Sequence, residues 1–451
     1  METALAFHGR TPRLRFGLVL NDDIENANMT KTIQIAPIGP VSATVVPPGS
    51  KSITNRAMIC AALADGRSTL SGVLDSEDTR VMIAALGQLG IDVKHDRTAR
   101  TASVSGCGGS PPAAEADLYI ANSGTSVRFL TAMATTGCGK YRLHGTPRMH
   151  QRPIADLLDA LSQLGANVQS EENNGNPPVI IEADGLPGGR AEVAGDISSQ
   201  FLSGLLMAAP CADDPVELAV RGTLVSKPYV EMTLTVMRAF GVDIAPGDLQ
   251  SFSIPAVGAY RAADYRIEPD ASAASYFFAA AAIAGGEVTV EGLSKSSIQG
   301  DVDFCDCLEM MGCQVKYAED SITVVGGPLK GIDVDMNAIS DTVQTLAAVA
   351  LYADGPTNVR NVGHIRHKET DRIGDLAREL RKLGATVDER EDGMLITPGS
   401  LHGAEIDTYD DHRMAMSLSL VGLKTPGVII RDPDCTGKTY PDFFDDLGRL
   451  G

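Results

Sequence analysis

A chain of 451 residues is too long for one ordinary hydrophobic core, and 43% hydrophobic with 21% charged residues fits a soluble globular protein of two or three domains. A formal net charge of −20 excludes a general nucleic-acid or anionic-membrane surface, so an anionic ligand has to be held by a few locally concentrated Lys and Arg side chains. No apolar run approaches the roughly 18 residues of a membrane span, and the eight cysteines form no C-x-x-C pair, which reads as the reduced thiols of a cytoplasmic protein rather than disulfides or a zinc site.

Residues 1–29 have neither a signal-peptide core nor the acid-poor composition of a transit peptide, and are expected to be a poorly ordered extension. "TKTIQIAPI", from Thr30, reads as the first strand. "VPPGSKSITNRAM", Val46 to Met58, follows and has the look of a phosphate-cradling loop. Its spacing is wrong for a P-loop, because Ser50 separates Gly49 from Lys51 and position 44 is Thr44. The anion that Lys51 holds is therefore not expected to be a nucleoside triphosphate.

Further along, an amphipathic helix, a Gly and an alternating strand recur as a set. The glycines are Gly90, Gly165, Gly241, Gly312 and Gly384, roughly 70 to 76 residues apart, which is longer than solenoid repeats. Each unit is a small α/β module whose Gly caps the helix in the left-handed conformation. "FDDLGRLG" at the chain end looks like a sixth helix and cap whose strand is missing. The open edge is filled if the N-terminal strand returns to it, giving six units in two groups of three.

Several apolar helices begin directly after polar signatures: "NSGTSVRFL" from Asn122, "DISSQFL" from Asp196, "LVSKPY" from Leu224, "ISDTVQTL" from Ile339 and "YDDHRMAM" from Tyr409. Each alone is an ordinary cap. Together, with Lys51, Arg128, Gln200, Lys227 and Arg413 at the starts, they describe a cleft lined by positive helix ends, which is an anion receptor. "HKETDRIGDL" adds Lys368, Glu369, Asp371 and Arg372 at the expected start of another helix, and "TPRMHQRP" supplies Arg148 and Arg152 in a loop. Carboxylates beside Lys and Arg suit proton transfer, and Arg suits carboxylate or phosphate. His412 is expected to orient Arg413. No G-x-S-x-G, H-E-x-x-H or G-x-G-x-x-G after a strand gives a hydrolase, zincin or dinucleotide reading an anchor.

"PPGSKSITNRA", "NSGTSVRFL", "TPRMHQRPI", "SSQF", "LVSKPY", "KETDR", "YDDHRMAM" and "CTGKTYPDF" occur in the order seen in the 5-enolpyruvylshikimate-3-phosphate synthase family, which the chain resembles over residues 33–447. The resemblance implies an α/β fold of two similar domains, each of three βαβαββ-type repeats in an inside-out α/β barrel, with the active site in the interdomain cleft. It puts the first domain at 30–48 plus 269–451 and the second at 49–268. It also implies transfer of the enolpyruvyl group of phosphoenolpyruvate to the 5-hydroxyl of shikimate 3-phosphate by addition and elimination, in the shikimate pathway, with no cofactor and no metal.

By the same resemblance Lys51, Asp341 and Glu369 are catalytic. Lys51, Ser52, Arg56, Ser198, Ser199, Gln200, Ser226, Tyr229, Asp341 and Lys368 match positions that hold phosphoshikimate. Lys51, Asn122, Gly124, Thr125, Arg148, Gln200, Arg372, Arg413 and Lys438 match those that hold phosphoenolpyruvate. The enzyme is expected to be a cytoplasmic monomer that closes on phosphoshikimate and is inhibited by glyphosate. Two departures bear on this. Phe129 stands where many plant and enterobacterial members have Pro, and His364 where such members often have Asn. The sister enzyme acting on UDP-N-acetylglucosamine relies on a loop Cys, and no Cys lies between Cys138 and Cys211, where that loop would fall.

Overall fold

The computed structural model describes residues 31–245 and 247–451, so the expected extension at 1–29 lies outside the described residues. Among them are helices α1 (Lys51–Ala62), α2 (Glu77–Gln88), α3 (Gly124–Ala134), α4 (Ala155–Gln163), α5 (Ser199–Ala208) and α6 (Lys227–Ala239). After the chain crosses back come α7 (Ala271–Ala284), α8 (Phe304–Met311), α9 (Val343–Ala350), α10 (Gly374–Lys382), α11 (His412–Gly422) and α12 (Phe443–Leu447).

The repeat is plain in residues 115–184. Strand Glu115–Tyr119 runs through α3 into a parallel partner, Cys138–His144, because a helical crossover is long enough to return the chain in the same direction. After α4, the hairpin strands Asn167–Ser170 and Val179–Asp184 complete an antiparallel edge. Residues 333–397 repeat the same βαβαββ order. Two other sheets borrow a parallel strand from across the chain: Val41–Val45 beside Gly286–Glu291, and Asp264–Arg266 beside Arg67–Ser71. Thr32–Gln34 pairs antiparallel with Ile429–Arg431, so the N-terminal strand does fill the last sheet.

Gly90, Gly165, Gly241, Gly312 and Gly384 all have positive φ, between 87° and 113°. The sixth copy departs from the pattern. Gly448 stays right-handed at φ −66°, since no returning strand follows it and no left-handed turn is needed. After Gly241 the described residues Val242–Ala245 are not in a strand, against expectation.

Buried apolar residues form two clusters, one from 33–41 with 271–450 and one from 53–267. Helices α1, α3, α5, α7, α9 and α11 are buried almost throughout, whereas α2, α4, α6 and α10 bury one face. All of α7 but its last residue is buried, as suits a helix that is apolar all round. The chain passes between the halves as a pair of strands in contact: Ser50 N donates to Glu268 O and Asp270 N to Pro48 O, each at 2.8 Å. Gly49 is obligatory there, because a Cβ would lie 1.8 Å from the Gly72 carbonyl oxygen.

Candidate active site

Helix starts converge on one cavity. Ser50 caps α1, Ser123 caps α3, Ser198 caps α5 and Asp411 caps α11, each accepting from a backbone N–H of the first turn. Those turns place Lys51, Gly124, Thr125, Gln200 and Arg413 around a cavity completed by Asp78, Arg152, Asp341, Lys368, Glu369 and Arg372. The space left between them is about 20 Å³, room for a water molecule.

Lys368 to Arg372 are not the start of a helix, although the amphipathic pattern reads through them. Asp371 Oδ1 accepts from Ile373 N at 3.1 Å and from Gly374 N at 3.0 Å, so the chain turns there and α10 begins only at Gly374. That turn frees Glu369 and Arg372 to point inward.

Charge pairs fill the cavity. Arg413 Nη2 donates to Asp341 Oδ2 at 2.8 Å, and Arg372 Nη1 reaches Asp341 Oδ1 at 3.3 Å. Arg372 Nη2 donates to Glu369 Oε2 at 2.8 Å, while Lys438 Nζ and Arg152 Nη1 lie 3.3 and 3.8 Å from Glu369 Oε1. Burial pushes both carboxyls up, yet Arg413, Lys368, Arg372 and Lys51 outweigh it at Asp341, and Lys438, Arg372 and Arg152 at Glu369. Both acids are held well below the usual carboxylate range. Lys51 Nζ faces Asp78 Oδ2 at 3.5 Å.

Cations clustered on two carboxylates, across a cleft walled by helix starts, suit an anionic substrate whose reaction moves protons. The model of EPSP synthase (3-phosphoshikimate 1-carboxyvinyltransferase) matches residues 35–447. The chain belongs to the EPSP synthase family. It is 50% identical over 406 residues to the 3-phosphoshikimate 1-carboxyvinyltransferase of Trichormus variabilis, covering 90% of this chain and 95% of that one. With the enzyme of that name from Shewanella pealeana it shares 48% over 421 residues, covering 93% and 99%. An EPSP synthase structure from Acinetobacter baumannii superposes with TM-score 0.77 at 26% identity, covering 93% of this chain and 98% of that one. The enolpyruvyl transferase NikO from Streptomyces tendae, at 21% identity and TM-score 0.77, has the same fold over 94% and 98%.

Most of the residues singled out in the sequence come together at or beside the cavity. Asn122 O accepts from Lys438 Nζ at 2.9 Å and from Arg152 Nη1 at 3.0 Å. Gln200 is fixed by Arg128, whose Nη1 donates to Oε1 at 2.7 Å, so its amide nitrogen faces Thr125 Oγ1. Ser52 and Tyr229 line a small adjoining cavity with Ser272 and Asp301. Ser226, left-handed at φ 53°, makes no cap and instead sets its hydroxyl 3.3 Å from His364 Nε2. Ser199 is buried behind the Ser198 cap.

Three expectations change. Arg148 does not line the cavity: its Nε and Nη2 donate to the carbonyls of Glu369 and Lys368, at 3.0 and 3.1 Å, and the cavity arginine of that loop is Arg152. Arg56 is 1% exposed and spends its donors on Thr233 Oγ1, Ser52 O, Ser203 Oγ and Tyr229 O, with Phe129 stacked 5.1 Å away, so it holds Ser52 and Tyr229 rather than facing the cavity. His412 does not orient Arg413, since neither ring nitrogen makes a hydrogen bond, Nδ1 lying 3.7 Å from Asp411 Oδ1, and successive helix residues point to different faces. Asp341 and the Tyr276 hydroxyl hold Arg413 instead. Asp78 and Asp411 escaped the sequence reading, and the one signal for Asp411 was its cap position before "HRMAM".

Proposed function

We propose that the chain transfers the enolpyruvyl group of phosphoenolpyruvate to the 5-hydroxyl of shikimate 3-phosphate, releasing phosphate, with this cavity as the active site. The observation that carries the reading is the Asp341 and Glu369 pair, each held ionised by cations that the substrates' own anionic groups would engage. Asp341 accepts the proton of the hydroxyl. Glu369 serves the methylene carbon: phosphoenolpyruvate draws Arg152, Arg372 and Lys438 onto its carboxylate and phosphate, which removes their hold and lifts Glu369 toward the protonated form needed to donate. Lys51, Asn122, Gly124, Thr125, Gln200, Arg372, Arg413 and Lys438 hold phosphoenolpyruvate in this reading, with Arg152 in place of Arg148. Ser52, Ser198, Ser199, Ser226, Tyr229 and Lys368 hold phosphoshikimate, with Arg56 behind them.

The domain division at 30–48 with 269–451 and at 49–268 belongs to the same reading, supported by the two buried clusters. So does a cytoplasmic monomer that glyphosate inhibits at the phosphoenolpyruvate site; unchanged turnover under a large excess of glyphosate would contradict that part. UDP-N-acetylglucosamine is not the favoured acceptor, given relatives at 48 to 50% identity named for phosphoshikimate. Phosphate release from phosphoenolpyruvate that requires shikimate 3-phosphate tests the function. Release with UDP-N-acetylglucosamine instead would reassign the acceptor.

A further inference from the structure

The short turn Gly300–Asp303 leads into α8 and carries Asp301 into the wall behind the substrate cavity, where it is 5% exposed. The transfer chemistry above leaves it without a role. Its Oδ2 accepts from the Tyr229 hydroxyl at 3.0 Å and from Ser272 Oγ, while its Oδ1 is buried with no partner. The same Tyr229 hydroxyl lies 3.3 Å from Asp341 Oδ2. One phenol proton thus stands between a buried carboxylate, Asp301, and a half-buried one, Asp341, and it satisfies only one of them at a time. The phenol oxygen's lone pair remains for a proton carried by the other.

We infer that Asp301 is a proton store behind Asp341: the proton that Asp341 takes from the substrate hydroxyl passes through Tyr229 to Asp301 and later returns by the same path. The inference rests on the reading of Asp341 as the base. The step balances without any co-reactant. The O–H bond at Asp341 breaks as its proton moves to the Tyr229 oxygen, the original Tyr229 O–H bond breaks as that proton moves to Asp301 Oδ2, and no electron changes hands. Tyr229 finishes with one proton, as it began. It never becomes a phenolate, which burial and the charges of Asp301 and Asp341 strongly disfavour.

Surroundings give the transfer its direction. Asp301 is faced by Tyr229 from α6, by Asp270 and Ser272 at the start of α7, by Asp341 from the turn before α9 and by Arg413 from α11. Burial first, then the charge of Asp341, push the Asp301 carboxyl up to about 6, against Ser272 and Arg413. Asp341 is held well below the carboxylate range, so a proton collected there settles on Asp301. The store keeps the proton inside a closed cleft, ready for the elimination, in which the leaving phosphate needs it. Asp301 touches no reacting atom and acts only through Tyr229 and Asp341.

The test is kcat from pH 5 to 9 at saturating shikimate 3-phosphate and phosphoenolpyruvate, for Asp301→Asn, Tyr229→Phe and the double variant. Each single change should lower kcat near pH 7.5 by on the order of 10- to 100-fold and abolish an acid limb close to pH 6. The double variant should be no slower than the slower single one, since both cut one chain in series. An acid limb kept by both single variants, or losses that multiply in the double one, would overturn the inference. Tyr229→Phe removes a single oxygen and decides the matter even where Asp301→Asn does not fold. Asp341→Asn separates the two levels. If it abolishes turnover while the other variants keep the parent pH profile, only the relay falls; if it keeps full turnover, the base assignment falls and the relay with it.

Discussion

Asp411 grips Arg372 at two points, Nε to Oδ2 at 2.7 Å and Nη2 to Oδ1 at 3.1 Å, with both side chains out of solvent. The same carboxylate accepts from Arg413 N at 2.9 Å, so one buried acid sets both the fork of Arg372 and the start of the helix that carries Arg413. Asp411→Asn keeps the shape and removes the charge. It should cost about 3 kcal/mol of stability, because it leaves a buried cation short of its partner. The KM for phosphoenolpyruvate should rise about tenfold as the Arg372 fork loosens. Denaturant unfolding and steady-state kinetics on one preparation check both.

Arg152 and Arg148 sit four residues apart and separate cleanly. Arg152→Ala should raise the KM for phosphoenolpyruvate on the order of 10- to 100-fold, the loss of a charge-assisted contact in a buried site. Arg148→Ala removes donors to the Lys368 and Glu369 carbonyls and to Gln151 Oε1, and should change it by no more than about threefold. A methyl at Gly124 would lie 2.3 Å from Arg152 Nη2, so Gly124→Ala should act in the same direction as the Arg152 change. Equal effects of the two arginine variants would contradict the placement of Arg152.

His364 supplies a pH dependence. Burial, then the nearby charge of Lys368, lower it from 6.5 to about 4, and it is held between Ser340 Oγ at 2.9 Å and Ser226 Oγ at 3.3 Å. A histidine that protonates more readily unfolded than folded leaves stability whole above about pH 6.5 and erodes it as pH falls toward 4. The full effect is about 3 kcal/mol. His364→Asn should flatten that part of the stability profile between pH 7 and 4.5, measured by urea unfolding. An unchanged slope would mean that the ring takes up its proton alike in the folded and unfolded states.

A closing motion is expected from the cross-chain contacts and the small cavity. Arg148 on the Glu369 carbonyl and Lys438 on the Asn122 carbonyl join the two halves, and about 20 Å³ does not admit phosphoenolpyruvate. On this reading the halves are expected to part for loading and to meet again around the anions, the first of which would neutralise the opposed helix ends. X-ray scattering should show a smaller radius of gyration with shikimate 3-phosphate than without it. Identical profiles would count against the motion.

The fold was legible where local chemistry repeats. The helix, Gly and strand sets announced the units, and Ser or Asp before apolar runs announced the helix starts. Lys368 to Arg372 misled because their spacing continues the amphipathic pattern of α10, and only the Asp371 turn, a backbone event, separates them from it. Arg148 and Arg152 are chemically identical in one loop, so the side that faces the cavity is a matter of loop geometry. Asp301 and Asp411 pair with Tyr229 and Arg372, which are 72 and 39 residues away, and no local periodicity marks such partners.

The addition step turns the methylene of phosphoenolpyruvate into a methyl group, and the elimination turns it back. Turnover in D2O, followed by mass spectrometry of the product, tests the proton chemistry assigned to Asp341 and Glu369 most directly. The account predicts deuterium in the methylene of the enolpyruvyl product, and loss of both turnover and label in Glu369→Gln. Full turnover in D2O with an unlabelled product would contradict it.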